Sequence, residues 1–554
     1  MHWGEKLKAK QKLEVNNIIA RIITVIMAVV VLALLFVFFS ANIFHYTARM
    51  EADIASETLL GTVIYDNGFV QPSTWYASTT VRVISVPNLA AFIYPLVSQN
   101  ANLAAGIACV IMMVLLLAIM IVYFRQIGFS WTQVLASLVI ILSFTNAADE
   151  FQRMLFLYAS YYVSHAITLF IILIFYNKWL KDNKVSWWTL ALSLLIAVLN
   201  GLQGMHACLF CYIPLVVVEV LRRFVFWIRE KKQSDPFILI WTIILFVVSF
   251  GCTKIFATTN FGASRNIRHA FEKFVNEVCP AIGTTLSFNR LPVLVFLVLA
   301  AAIAGYVIYI FRLVKNAGKK IDEDIFQNYR AALSDYKLDS SDKTYRYWSM
   351  LVFPFGFILC VLLETFTTAD VAGRYFLMLL FTVATGFSLL IHQLKEKFQD
   401  YALLRGIVLA VSLFLVAFYG AFSAVIFYSD LVINDYSYDT DAYKAYSWMA
   451  ENGYTYGYTT FDYANYITVM GNNTVKVRAV NNMAEMAGCK WLSDTTWYPP
   501  VKSQEGATCY IVSEAMTEDF NVFLETYEPE IVNTEEVGKF VIYVLDHDYT
   551  LWER

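Results

Sequence analysis

The chain begins with a long apolar run, "IIARIITVIMAVVVLALLFVFFS", at residues 18–40. A helix of this length crosses the ~30 Å hydrocarbon core of a bilayer, because each residue adds ~1.5 Å. The run is too long and too rich in Phe for the apolar segment of a signal peptide, and no A-x-A-like cleavage site follows it. We therefore predict a retained signal anchor with residues 1–17 in the cytoplasm.

The composition of the whole chain is that of a membrane protein. Of the 554 residues, 58% are hydrophobic and 15% are charged, whereas soluble domains carry about 25% charged residues. Long apolar runs recur, which predicts a polytopic α-helical membrane protein with about 11 transmembrane helices and a transmembrane domain at residues 18–429. The predicted spans are 18–40, 102–124, 131–145, 164–180, 187–200, 206–224, 236–256, 291–313, 347–366, 374–391 and 404–428.

The basic residues predict the orientation of these spans. About 23 of the 41 Lys and Arg residues lie in the N-terminus and the alternate loops on its side, and cytoplasmic loops are the ones enriched in such residues. The N-terminus is therefore predicted to be cytoplasmic. An odd number of spans then places everything after about residue 430 on the outer side.

Two external regions are longer than a connector requires. The first is the large external loop 41–101, and the second is the C-terminal segment 430–554. The second mixes helical and strand-like patterns around Asn and Gly turns, and "GKFVIYVLD" at 538–546 is typical of a β-strand. We predict a small α/β extracytoplasmic C-terminal domain. The spacing of Cys489 and Cys509 leaves open whether these two residues pair.

The first external loop carries an acidic segment, "RMEADIASETLLGTVIYDNGFVQP" at residues 49–72. On a helix, Asp53 and Glu57 lie one turn apart on the same face. Their mutual repulsion is expected to raise the pKa of one carboxylate, which suits a general base. The alternative is an interfacial helix whose acids face water. Trp75, Tyr76 and Phe92 further along fit the lipid headgroup level.

Other external segments also carry candidate side chains. Asp149 and Glu150 follow the third span, where they could bind an acceptor or a metal, or cap a helix N-terminus. Arg374 opens the tenth span on its outer side, where a guanidinium suits phosphate but could also snorkel. Arg265 and Arg268 could bind an anionic headgroup or belong to an amphipathic interfacial helix.

The sequence argues against several classes of protein. It contains no Walker A run, no G-x-G-x-x-G after a strand and no H-E-x-x-H. Few charges lie deep within the predicted spans, whereas ion-coupled transporters usually carry ionisable groups at the midplane. We expect no nucleic-acid partner.

This arrangement resembles the GT-C superfamily of membrane glycosyltransferases, which use polyprenyl-phosphate sugars. The nearest branch is the protein O-mannosyltransferase and aminoarabinose transferase type. The resemblance covers the layout of the whole chain and three short motifs. These are "EADIASETLLGTVIYDNGFVQP" at 51–72, "NAADEF" at 146–151 and "GRYFLMLL" at 373–380. In place of the family's adjacent Asp-Glu pair, the sequence has Glu51 and Asp53 separated by Ala52.

The resemblance implies an inverting transfer of a sugar from a polyprenyl-phosphate carrier to an extracytoplasmic acceptor, which could be a glycan, a lipid or a protein. Asp53 would be the general base, with Glu57 and Glu51 as tuning groups or alternative bases. Arg374, Arg265 and Arg268 would bind the lipid phosphate. Asp149 and Glu150 in the second external loop would hold the acceptor or a divalent ion. No cofactor and no metal are predicted, because enzymes of this branch often work without metal.

Two other functions remain open on the sequence. A transporter or flippase of lipid-linked saccharides predicts pseudo-symmetric halves and a polar path through the spans. A non-catalytic membrane scaffold would present the C-terminal domain as a binding module. The predicted location is a plasma membrane, in a bacterial cell envelope where cell-wall glycans are assembled.

Overall fold

The computed structural model describes the greater part of the chain. Its described residues are 2–77, 80–144, 154–182, 186–230, 236–256, 264–285, 291–319, 348–368, 370–397, 402–499 and 504–553.

The first three quarters of the chain are helical, apart from one short strand. The helices, in chain order, are α1 (His2–Phe44), α2 (Ala52–Asp66), α3 (Val86–Ile93), α4 (Ala101–Gln126), α5 (Trp131–Ser143), α6 (Val163–Asp182), α7 (Trp187–Leu202), α8 (Ile213–Glu230), α9 (Phe237–Cys252), α10 (Ala270–Lys273), α11 (Cys279–Thr285), α12 (Pro292–Lys319), α13 (Val352–Phe366), α14 (Leu377–Lys397) and α15 (Ala402–Tyr428).

Seven helical segments in the described part are long and apolar enough to cross a membrane. They are Arg21–Phe44, Ala101–Gln126, Val163–Asp182, Pro292–Arg312, Ser349–Phe366, Gly373–Leu394 and Gly406–Ile433. Each coincides with a span predicted from the sequence. The four other predicted spans correspond to α5, α7, α8 and α9, of which α5, α7 and α9 are apolar but have fewer than 18 residues. The count of 11 spans therefore stays a prediction.

Small residues allow close packing between spans. A Cβ atom at Gly305 of α12 would collide with the backbone oxygen of Gly386 in α14. A Cβ at Gly106 of α4 would collide in the same way with the backbone of Asn42 in α1. Such close approach increases van der Waals contact between helices, which matters where lipid removes the hydrophobic driving force.

The C-terminal region is a domain of helices and one mixed sheet, as predicted. Its further helices are α16 (Asp441–Glu451), α17 (Phe461–Met470) and α18 (Thr517–Tyr527), and its strands are β2 (Tyr456–Thr460), β3 (Lys476–Val480), β4 (Ser493–Asp494), β5 (Gln504–Ser513), β6 (Ile531–Val537) and β7 (Phe540–Asp548). Five strands form one sheet in the order β3-β2-β5-β7-β6. Strand β2 is parallel to β3 and β5, and β7 is antiparallel to β5 and β6.

Alternation along β5 divides the core of this domain into two clusters. Cys509 and Ile511 point to the face covered by α16 and α17. Tyr510 and Val512 point to the opposite face, which α18 and the segment after β3 cover. Cys489 and Cys509 are both free thiols in this domain.

The first external loop and the C-terminal domain are bound to each other. Strand β1 (Trp75–Tyr76) pairs antiparallel with β4. Trp75 is only 4% exposed and packs with Leu492. The prediction that Trp75 lies at the lipid headgroup level is therefore wrong, because its ring is buried against protein. Phe92, by contrast, is 55% exposed.

Candidate functional site

Helix α2 carries the predicted acids and is enclosed by protein. It packs against α3 and α4 on one side and against α17 of the C-terminal domain on the other. Asn465 of α17 donates from Nδ2 to Ser56 Oγ over 2.8 Å. The alternative of an interfacial helix with both acids facing water does not hold, because nearly every side chain from Ile54 to Ile64 is buried.

Asp53 and Glu51 lie at the start of this helix. Glu51 is the N-cap residue with an extended backbone, and Asp53 belongs to the first turn. Both side chains are half-buried. A carboxylate in this position benefits from the unpaired N–H groups of the first turn and from the positive end of the helix dipole.

Glu57 forms a buried ion pair with Arg82. Arg82 Nη2 lies 2.6 Å from Glu57 Oε1, and Arg82 Nε lies 3.0 Å from both carboxylate oxygens. The side chains are 3% exposed for Glu57 and 10% exposed for Arg82. Burial alone would lower the pKa of Arg82, but the Glu57 carboxylate raises it above its usual value. The Arg82 guanidinium therefore keeps its charge beside the carboxylate.

This ion pair argues against the role that was expected of Glu57. Glu57 was expected to tune Asp53 through like-charge repulsion. Its charge is instead balanced by Arg82, which follows it by 25 residues and was not singled out as a partner. The physical basis for that tuning is thereby removed. The only sequence signal for Arg82 was a lone cation in an otherwise apolar and hydroxyl-rich stretch.

Several hydrogen bonds position the segment that carries Arg82. Gln71 Oε1 accepts from the Arg82 backbone N–H over 2.8 Å. Gln203, which follows α7, accepts at Oε1 from the backbone N–H groups of Val83 and Ile84. Arg82 also donates from Nη1 to Thr80 Oγ1 over 2.9 Å. The first external loop is therefore bound to the helix bundle at the C-terminal end of α7.

His206 lies close enough to two cations for both of their charges to act on it. The charges of Arg82 and Arg374 both act on its ring. The ring centroid is 4.6 Å from that of Tyr162 and 5.3 Å from that of His165. The Nδ1 atom of His206 is buried and has no hydrogen-bond partner. A buried polar atom without a partner is rare in native proteins and marks a position where a ligand or water is expected.

The three predicted phosphate-binding arginines differ in exposure. Arg374 is half-buried in a 3-10 turn, Gly373–Phe376, at the start of α14, and its guanidinium lies 5.4 Å from the centroid of the Tyr375 ring. Arg265 and Arg268 are both exposed. The segment of Arg265 pairs with Thr367, a few residues before Arg374.

Other predicted residues add less to this site. Asp149 and Glu150 lie outside the described residues. Lys273 is buried and donates to the backbone oxygen of Thr367 over 2.8 Å. A further cation therefore lies near the segment that precedes Arg374. In the described part of the chain, no group of three or more His, Cys, Asp or Glu side chains is arranged to hold a metal ion.

The structure thus brings Glu57, Arg82, His206 and Arg374 to one end of the bundle, with Asp53 one turn before Glu57 in α2. Four separate segments of the chain supply these side chains. His206 and Arg82 were not among the predicted site residues. The arrangement offers cations for an anionic group and a carboxylate at the start of an enclosed helix.

Neither a protein-family model nor a curated protein sequence matches the chain. Among solved structures, it is similar to ArnT from Cupriavidus metallidurans bound to undecaprenyl phosphate, with 10% identity, a TM-score of 0.48, and coverage of 94% of this chain and 97% of that chain. It is also similar to the archaeal oligosaccharyltransferase AglB from Archaeoglobus fulgidus in complex with an inhibitory peptide and a dolichol-phosphate. That match has 12% identity and a TM-score of 0.45, and it covers 83% of this chain and 65% of the AglB chain.

Proposed function

We propose that this protein is an inverting glycosyltransferase that moves a sugar from a polyprenyl-phosphate carrier to an acceptor on the outer side of the membrane. The observation that carries the proposal is that the charges of Arg82 and Arg374 both act on the buried His206, whose Nδ1 atom has no hydrogen-bond partner, while Arg82 is bound to Glu57 of the acidic helix α2. Two guanidinium groups suit a phosphate, and the half-buried Asp53 carboxylate, one helical turn before Glu57, suits a base.

These groups would act on two events of the reaction, the attack of the acceptor hydroxyl and the departure of the phosphate. The acceptor hydroxyl attacks the anomeric carbon from the face opposite the phosphate, and its proton passes to the Asp53 carboxylate. The bond between the anomeric carbon and the phosphate oxygen breaks, and the electron pair stays on the departing polyprenyl phosphate. Arg374 and Arg82 would stabilise this added negative charge in a site of low dielectric constant. Transfer with inversion follows from direct displacement.

Glu57 has a different role in this scheme from the one expected. Its bond to Arg82 fixes the direction of the guanidinium, because two nitrogens are held by one carboxylate. Glu57 would therefore position Arg82 for the phosphate, while Asp53, or Glu51 in its place, would take the proton. Arg265 and Arg268 remain candidates for the lipid phosphate, and Asp149 and Glu150 for the acceptor.

The proposed topology has 11 spans, a cytoplasmic N-terminus and an external C-terminal domain in a plasma membrane. It is supported by contacts between segments predicted to be external. Arg82 of the first external loop lies 5.8 Å from the ring centroid of Tyr161 in the second, and its charge acts on His206 after the fifth span. Asn465 of the C-terminal domain contacts α2. These segments meet at one end of the bundle, as one side of a membrane requires.

The test of the proposal has two parts. Mass spectrometry of surface glycans and lipids, with and without the gene, should reveal a sugar that is lost in the deletion strain and restored by the wild-type gene. Complementation with Asp53→Asn should fail to restore it while the protein is present at the wild-type level. An unchanged glycan and lipid profile in the deletion strain would contradict the proposal.

A further inference from the structure

The C-terminal domain contains a buried arginine, Arg478 in β3, that is far from satisfied. The residue is 5% exposed, and its Nε and Nη1 atoms are buried without a hydrogen-bond partner. No carboxylate of the described residues forms an ion pair with it. A buried cation is normally paired, because the loss of water is otherwise uncompensated.

The groups around Arg478 are aromatic and donate their own hydrogen bonds elsewhere. Tyr456 donates to the backbone oxygen of Trp497 over 2.6 Å, and Tyr498 donates to that of Ala479 over 2.5 Å. Tyr458 donates to Asp548 over 2.8 Å.

The carboxylate of Asp548, the acid of this cluster, is occupied as well. It accepts from Tyr458, from Tyr510 over 3.5 Å and from the backbone N–H of Thr550 over 2.8 Å. Burial raises the pKa of Asp548 and lowers that of Arg478, as expected for charged groups removed from water. The cluster therefore contains a cation that interacts with Tyr456 but keeps two N–H groups, at Nε and Nη1, without an acceptor.

Trp497 covers this cation. The guanidinium lies 3.9 Å from the centroid of the Trp497 ring, in a cation–π contact. Trp497 is half-buried and ends a short 3-10 turn, Thr495–Trp497, and its ring also contacts the ring of Trp75 edge-on, with 5.7 Å between the centroids. Tyr456 is also half-buried. A ligand would reach the guanidinium when the Trp497 ring moves.

We propose that Arg478 is the anchor of an oxyanion-binding site in the C-terminal domain, closed by Trp497, which takes a carboxylate or phosphate group carried by a saccharide. The unpartnered Nε–H and Nη1–H groups supply the donors that such a group requires. The half-buried faces of Trp497 and Tyr456 supply apolar surfaces for the C–H groups of a sugar ring. The site does not depend on the transferase proposal, because it shares no residue with the site at α2.

The experiment uses the full chain in lipid nanodiscs and measures the midpoint of thermal unfolding. Inorganic phosphate is titrated against chloride at equal ionic strength, and glucuronate is compared with glucose. A ligand that binds the folded state raises the midpoint as its concentration increases. We expect a rise with phosphate and glucuronate, and none with glucose or chloride. A larger rise with glucuronate than with phosphate would identify a saccharide acid as the preferred source of the oxyanion.

Two variants localise the effect. Arg478→Gln should weaken the apparent affinity at least about tenfold, since a charge-assisted hydrogen bond is lost. Lys476→Gln removes an exposed cation from the same strand and should leave the affinity unchanged. The emission of Trp497, obtained as the difference between the wild type and Trp497→Phe, should change on phosphate binding, and this readout needs no Arg478 variant.

Three results would overturn the proposal. The first is a wild-type midpoint that responds to chloride as it does to phosphate and glucuronate. The second is an equal response in folded Arg478→Gln. The third is a Trp497 emission that phosphate does not alter. Each of these would leave Arg478 as a structural cation solvated by internal water, whereas a failure of sugar transfer would not affect the outcome.

Discussion

Arg82 holds both carboxylate oxygens of Glu57 through Nε and Nη2, and this pair joins α2 to the segment that precedes α3. The two residues stand 25 positions apart and both side chains are nearly excluded from solvent. The same guanidinium faces the ring of Tyr161 and acts on His206. The ion pair thus lies near the N-terminal ends of α6 and α8.

Removal of one partner of this pair should destabilise the protein. In Glu57→Gln, the buried Arg82 loses its counter-charge, and such a loss costs about 3–5 kcal/mol in the free energy of unfolding. The double variant Glu57→Gln with Arg82→Gln should recover part of that loss, because no buried charge remains. Thermal unfolding in detergent measures both. A single variant as stable as the wild type would show that Arg82 finds another acceptor.

Loss of the proposed base should abolish transfer without unfolding the chain. We expect Asp53→Asn to lower the rate of sugar transfer in reconstituted membranes by about 10²–10⁴-fold, the usual contribution of a general base. Asp66→Asn, at the exposed end of the same helix, is the matched control and should keep the wild-type rate. Wild-type activity in Asp53→Asn would exclude Asp53 as the general base and leave Glu51 as the candidate.

The exposure of the arginines predicts different contributions to lipid-phosphate binding. Arg374→Gln should weaken the affinity for undecaprenyl phosphate in nanodiscs by about ten- to a hundredfold, because a charge-assisted hydrogen bond in a half-buried site is lost. Arg268→Gln should change it by less than about fivefold, since the charge of an exposed side chain is screened by water. Equal effects of the two substitutions would contradict the position assigned to the phosphate.

A contact between the first external loop and the C-terminal domain should depend on pH. His45 Nδ1 lies 2.7 Å from Asp435 Oδ2. Partial burial raises the pKa of Asp435, but hydrogen bonds from Ser437 and His45 outweigh it and hold the pKa below its usual value. The carboxylate therefore stabilises the folded state above the unfolded pKa of about 3.9. That stabilisation is lost as the pH falls through the lower folded pKa.

Hydrogen exchange of the backbone around Asp435 measures this dependence. We expect protection at pH 6 that decreases in strongly acidic buffer. In Asp435→Asn the same backbone should be less protected at pH 6 and should change little with pH. An identical pH profile in the wild type and the variant would exclude Asp435 as the titrating group.

Cys279 provides a test of the proposed orientation. It is exposed at the start of α11, in the external loop between the seventh and eighth predicted spans. A maleimide that cannot cross membranes should label the wild-type chain in intact cells, and Cys279→Ser should remove most of this label, because the other cysteines in the described part are buried or half-buried. Labelling of Cys279 only after the membrane is permeabilised would reverse the orientation.

Local pattern was sufficient for much of the architecture. The apolar runs predicted the helices because a span must satisfy its backbone internally and expose an apolar surface over a fixed length. The strand at 540–548 was predicted by its own run of apolar and aromatic residues, and α2 by the spacing of its acids and apolar positions. These properties depend on residues that are close in the sequence.

The partners of the charged residues could not be predicted in this way. Glu57 and Arg82 meet across 25 residues, and His206 and Arg374 come from segments more than 100 positions further along the chain. Nothing in the spacing of Asp53 and Glu57 indicates that a distant guanidinium balances one of them. Likewise, the sequence predicted that Trp75 lies at the lipid headgroup level. Its ring is instead buried, through packing with Leu492 and the pairing of β1 with β4.

By itself the sequence determined that this chain is a membrane protein with an acidic helix and an α/β domain on the same side, because hydropathy and periodicity act over a few turns. Only the tertiary structure decided that the C-terminal domain packs against α2, that Arg82 balances the charge of Glu57, and that the charges of two cations act on His206. The reason is that charge compensation and burial are set by the groups that packing brings within a few ångströms, and sequence separation does not limit which groups those are.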